Sequence, residues 1–171
     1  MSDTTEIQYL PLLANPRPVD VIPIVDMLTG TTCQTPLSNV AVVKQTYVQV
    51  SSAQILDSLA VPIPILAAPG AGKILIPVMA GVSYVPGSIA YTVSPARQFR
   101  FIVGGTTVMA FTQDNFMDGL AARYINPIST GMAGVTANIT NQGMVMQSAG
   151  SPPTLGNGTL DIYVWYFLAT P

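Results

Sequence analysis

The sequence predicts an all-β protein: an antiparallel jelly-roll-like β-sandwich over residues 40–171, preceded by an extended, proline-rich arm over residues 1–39. Three observations predict it. Short runs rich in Val, Ile, Tyr and Phe recur along the body, separated by Gly and Pro turns. The closing run sets Tyr163, Trp165 and Phe167 at alternate positions, the period of a strand. The start is different: Pro11, Pro16, Pro18, Pro23 and Pro36 interrupt every possible helix there.

Between those prolines lie apolar pieces such as Tyr9-Leu10, Leu12-Leu13 and the run 21–25. A disordered tail is poor in such residues. Burying Ile22, Ile24 or Val25 contributes roughly 1.5–3 kcal/mol each, whereas ordering the backbone costs about 1–2 kcal/mol per residue. Side chains alone therefore do not hold such an arm in place. It needs backbone hydrogen bonds as well, and the open edge of a neighbouring subunit's sheet offers them. Val21, Ile22, Ile24 and Val25 are the candidate interface residues. The same segment folded back on its own domain is the competing reading.

In the body, residues 40–50 alternate as a β-branched strand. Ser51 or Ser52 is placed to cap a short helix or turn over 51–59, with Ile55, Leu56 and Leu59 on one side. Residues 61–67 read as a strand with edge prolines, residues 69–72 as a tight turn, and 73–85 as a long strand bent at Pro77 or Gly81. Pro86-Gly87 turns the chain and 88–93 returns. Strands at 98–103 and 106–111 flank Gly104-Gly105, a pair suited to a hairpin turn. Residues 114–124 are expected as a short helix, 132–140 and 143–148 as strands, and 159–169 as a central strand covered on both faces, since Ile162, Val164, Tyr166 and Leu168 line its other side.

Composition narrows the function. Of the 171 residues 49% are hydrophobic and only 8% charged, against about 25% in an ordinary soluble domain. A spanning helix needs about 20 unbroken apolar residues, and the most apolar stretch, 61–85, is interrupted by Pro62, Pro64, Pro69, Gly70, Gly72, Lys73, Pro77 and Gly81. The first residues hold no basic region followed by an apolar block, so neither a membrane protein nor a secreted one is expected. A surface largely hidden by partners is the remaining explanation. The cations are scattered apart from Arg97 and Arg100, which argues against nucleic acid. Cys33 stands alone and reads as a small apolar residue of a protein made in a reducing cytoplasm.

Chemistry-bearing motifs are sparse. The stretch 67–74 resembles a phosphate-binding loop, but Ala67 replaces its first Gly, Ile74 its Ser/Thr, and a strand follows in place of a helix. It reads as a β-turn with Lys73 exposed. Asp114 and Asp118, four apart, form a weak acid pair, and with no His in the chain a Ser or Cys nucleophile lacks its usual base. No cofactor, metal or catalytic residue is expected, and the chain is read as non-enzymatic.

The runs 50–56, 61–63, 68–73 and 84–91, together with the closing 157–166, resemble a family of small structural proteins of tailed bacteriophages, across roughly residues 48–167. The Ala-Pro-Gly-Ala-Gly-Lys turn between two strands is the most specific part. The resemblance implies a jelly-roll domain of the virion, with no catalytic residues to carry over. The expected function is a capsid decoration (cement) protein on the capsid surface, synthesised in the host cytoplasm. Its partners would be itself, as a homo-oligomer and by family precedent a trimer, and the major capsid protein. The alternative is a tail or fibre module binding a host glycan, for which Tyr84, Tyr91, Asn126 and Asn157 are candidates.

Overall fold

A computed structural model describes residues 21–25, 32–36, 43–129 and 139–170. The chain divides into two compact units, residues 1–42 and 43–171. In the first, β1 (Val21–Val25) pairs antiparallel with β2 (Thr32–Pro36), with Ile24 opposite Cys33. The described part of the stretch read as an extended arm is thus a two-stranded ladder. Val21, Ile22, Ile24 and Val25 all lie in β1; their side chains, like that of Cys33, lie outside the described residues.

The second unit holds eight strands: β3 (Lys44–Val50), β4 (Ile63–Leu66), β5 (Ile74–Val85), β6 (Gln98–Val103), β7 (Thr106–Thr112), β8 (Arg123–Ile125), β9 (Met144–Ala149) and β10 (Thr159–Ala169). They form two four-stranded antiparallel sheets, β3-β10-β5-β8 and β4-β9-β6-β7. The first strand of the unit pairs with the last, the second with the seventh, the third with the sixth and the fourth with the fifth. This is one long hairpin rolled into a sandwich, the strand order of a jelly roll.

Alternation decides what lies inside. Leu160, Ile162 and Val164 of β10, Val82 and Tyr84 of β5, Phe99 and Phe101 of β6, and Met144 and Met146 of β9 form one continuous core. Phe111 sits at its centre, 5.4 Å from Phe99 and 5.5 Å edge-on to Phe116 between ring centroids. Such offset and edge-to-face pairs add to simple area burial.

Local chemistry fixes the connections. Ser51 caps α1 (Ser52–Asp57) in a reciprocal capping box with Gln54. Ile55 is buried and Leu56 half-buried, whereas Leu59, expected on the same side, is exposed. Gly104 and Gly105 both take positive φ, +54° and +83°, as the β6–β7 hairpin requires. The 67–74 stretch is the expected turn: Gly70 and Gly72 have positive φ, Lys73 N–H donates to the Gly70 carbonyl, and exposed Lys73 leads into β5. Edge strand β4 carries the solvent-facing Pro64, where a missing N–H costs least. The bend expected in β5 is a bulge: Trp165 faces Met79 and Tyr166 faces Pro77, leaving Val78 without a partner on β10.

Three expectations need correction. Residues 114–122 run through turns and bends in place of a helix, and 123 and 124 belong to β8, because Asn115 adopts φ +58° and Asp118 binds its N–H and the Arg123 guanidinium. Asp114 and Asp118 therefore share no helix face. The return at 88–93 makes only the isolated bridge Thr92–Thr154, since its N–H groups go to scattered partners: Ile89 to the Asn157 side chain, Tyr91 to the Met117 carbonyl. Of the strand expected over 132–140, residues 139 and 140 are not in a strand and the rest lie outside the described residues, as do 40–42 of the first body strand, which is seen from Lys44.

Candidate interaction surface

The outward side of sheet β3-β10-β5-β8 is built from aromatic side chains. On β10 the inner positions are Leu160, Ile162 and Val164, so Tyr163, Trp165 and Phe167 face away from the other sheet, half-buried. This corrects the expectation of a strand covered on both sides: β10 is central, but the second sheet packs on one face only. Tyr47 of β3 stands directly opposite Tyr163, and Gly81 of β5 stands opposite it on the other side. Gly81 opens a notch that the Tyr124 phenol from β8 fills; a Cβ there would fall 2.4 Å from its oxygen. A belt of Tyr47, Tyr163 and Tyr124 thus crosses all four strands, with Trp165 and Met79 paired beside it.

Contacts within the belt hold its rings in place. Tyr47 and Tyr163 have centroids 5.0 Å apart, and Tyr163 and Trp165 6.5 Å. The Tyr47 hydroxyl donates to the Asp161 carboxylate at 2.8 Å, and Gln49 Nε2 donates to the same oxygen at 3.1 Å. That hydrogen bond, more than any burial, holds the Tyr47 phenol above its usual range. Yet Tyr47 remains 50% exposed and Tyr124 58%. Ordered, pre-positioned aromatics that still meet water are the composition found at the anchoring points of protein interfaces.

Alternation in the sequence sets Tyr163, Trp165 and Phe167 on one face, but it does not bring Tyr47 or Tyr124 to them, and it marks Gly81 only as a bend. The residues proposed for glycan binding do not gather. Tyr84 and Tyr91 are buried, with burial pushing both phenols up and the Tyr91 hydroxyl donating to the Gly158 carbonyl at 2.7 Å. Asn157 serves the fold: its Oδ1 accepts from Ile89 N–H and its Nδ2 donates to Ser88. Asn126 is exposed, beside β8. Among the described residues no three His, Cys, Asp or Glu side chains gather as a metal site, and no helix is long and apolar enough to cross a membrane.

A solved structure titled "Cyanophage Pam1 capsid asymmetric unit" is similar to this chain, with 13% sequence identity, a TM-score of 0.49, and coverage of 85% of this chain and 99% of that one. No family model and no curated protein matches the chain.

Proposed function

We propose that this chain is a non-enzymatic structural protein of a tailed-bacteriophage virion: a capsid decoration protein that self-associates, as a trimer, and cements neighbouring capsomers through the major capsid protein. The observation that carries the self-association is the aromatic outer face of β3-β10-β5-β8. A chain with 8% charged residues has few groups with which to solvate such a surface, and an interface removes the need. The phage setting comes from the sequence resemblance over residues 48–167.

The N-terminal unit supplies the reach. A two-stranded hairpin is marginally stable in water unless something packs on it, and among the described residues β1 and β2 pair with no third strand. A neighbour's sheet edge would extend that ladder, with Val21, Ile22, Ile24 and Val25 seated in the interface.

Imaging of purified particles at subunit resolution tests the reading. Density on the head surface between capsomers is expected. Density at the tail tip overturns it in favour of a glycan-binding module.

A further inference from the structure

Arg97 and Arg100 line an open cavity of about 230 Å³ together with Ala96, Gln98, Ala149 and Gly150, on the side of the sandwich formed by β4-β9-β6-β7. The fold builds it deliberately at several points. Ala96 takes φ +60°, turning the chain so that Arg97 N–H reaches the Ser94 carbonyl, while the buried Gln113 donates its own N–H to the Arg97 carbonyl at 2.9 Å. On β6, Phe99 and Phe101 point into the core, which turns Gln98 and Arg100 outward. Gln98 pairs with Ala149, bringing Gly150 to the Arg97 side chain. Gly150 has φ +89°, and a Cβ there would fall 2.1 Å from Arg97 Nη1; only glycine leaves the guanidinium its seat.

The electrostatics are incomplete. Among the described residues neither arginine has a carboxylate partner, and the ion pair there is Arg123 with Asp118. Arg97 Nε is enclosed with no hydrogen-bond acceptor among the described residues. A guanidinium seated against Gly150, with the exposed Arg100 beside it in the same cavity, suits an incoming carboxylate, which guanidinium groups can grip in bidentate fashion. The chain's own charges indicate its source. Residues 1–42 hold Asp3, Glu6, Asp20 and Asp26 against Arg17, a net −3, whereas residues 43–171 hold five cations against four acids, a net +1.

We propose that the Arg97/Arg100 cavity receives a carboxylate from the acidic N-terminal segment of a second copy of this chain, fixing the reach of one subunit to the next. This rests on the self-association proposed above. The test is sedimentation of the full-length chain, at low and high NaCl, in four forms: unaltered, Arg97→Gln/Arg100→Gln, Asp3→Asn/Glu6→Gln/Asp20→Asn/Asp26→Asn, and all six changes together. At low salt each set is expected to weaken association about tenfold, the scale of close charge pairs across interfaces. The combined protein should lose no more than either set alone, and salt should weaken only the unaltered chain. Should Arg97→Gln perturb folding, as read by thermal unfolding, the exposed Arg100→Gln alone carries the comparison. Additive losses, or an unchanged association constant in either set, overturn the proposal while leaving self-association standing. A strictly monomeric unaltered chain sinks both. Arginine-dependent binding of inorganic phosphate by calorimetry, with normal association of the acid-neutralised protein, assigns the cavity to a free anion and likewise overturns it.

Discussion

The sandwich shows water two unlike faces. Outside β3-β10-β5-β8 the rings of Tyr47, Tyr124, Tyr163, Trp165 and Phe167 stand beside Met79, with Gln45, Gln49, Ser83 and Asp161 among them. Outside β4-β9-β6-β7 the side chains are Gln98, Arg100, Ile102, Ala110, Thr112, Val145, Gln147 and Ala149, with no aromatic ring among them. Both sheets have four strands and share one core, so folding alone does not require the difference. An antiparallel sheet with one solvated side ordinarily alternates apolar-in with polar-out. The second sheet comes nearer that rule, with Ile102 and Val145 its larger outward apolar groups, and the first departs from it with five aromatic rings, which marks the first as the face with a second task.

The inner face sets the scale. Phe101→Ala is expected to cost about 3–5 kcal/mol of folding stability, the usual range for emptying an aromatic core site, as measured by denaturant unfolding. On the aromatic outer face the loss should move from folding to association: Trp165→Ser is expected to weaken self-association by about 2 kcal/mol, roughly 30-fold, with a smaller effect on unfolding. Thr112→Ser, on the polar face, should leave association unchanged in the same sedimentation experiment. Equal effects from Trp165 and Thr112 would dissolve the distinction between the faces.

Two inward tyrosines sharpen it further. Tyr91→Phe orphans the Gly158 carbonyl and should cost about 1–3 kcal/mol, whereas the Tyr84 hydroxyl is enclosed without a partner among the described residues, so Tyr84→Phe should lie within about 0.5 kcal/mol of neutral or stabilise. The smallest effect is on pH. Burial raises the Tyr91 pKa in the folded chain. Below about pH 10, the ordinary tyrosine value, folded and unfolded chains both keep that proton and stability is flat from this source. Above it the unfolded chain releases the proton while the folded chain retains it, so melting temperature should fall as pH rises, less steeply in Tyr91→Phe.

Much of this architecture was legible from residues. Alternation located most strands, Gly104-Gly105 the hairpin, Ser51 the cap, and the apolar closing run a central strand. What resisted is instructive. Both faces of β10 are apolar, so alternation cannot say which one looks outward. The tyrosine belt exists only because strands distant in sequence meet in one register, and neither Tyr47 nor Gly81 announces that alone. Residues 114–124 carry apolar residues at helical spacing; the left-handed Asn115 and the Asp118–Arg123 pair override it. Arg97 and Arg100 stood out as the closest pair of cations, but their want of an anion and the seat at Gly150 are visible only in three dimensions.

The nested pairing of strands has a consequence for synthesis. β10 follows every other described strand yet occupies an interior place between β3 and β5. Until the ribosome has released it, β3 and β5 each present an open row of amides and carbonyls with apolar flanks, and nothing made earlier can fill the gap. Closure must wait for the last of these strands, so a nascent chain stays unsealed from β3 until β10 is made, and topologies that join distant segments also fold slowly. The hazard falls on the half-made chain: many copies elongating together would meet one another's raw edges before β10 arrives.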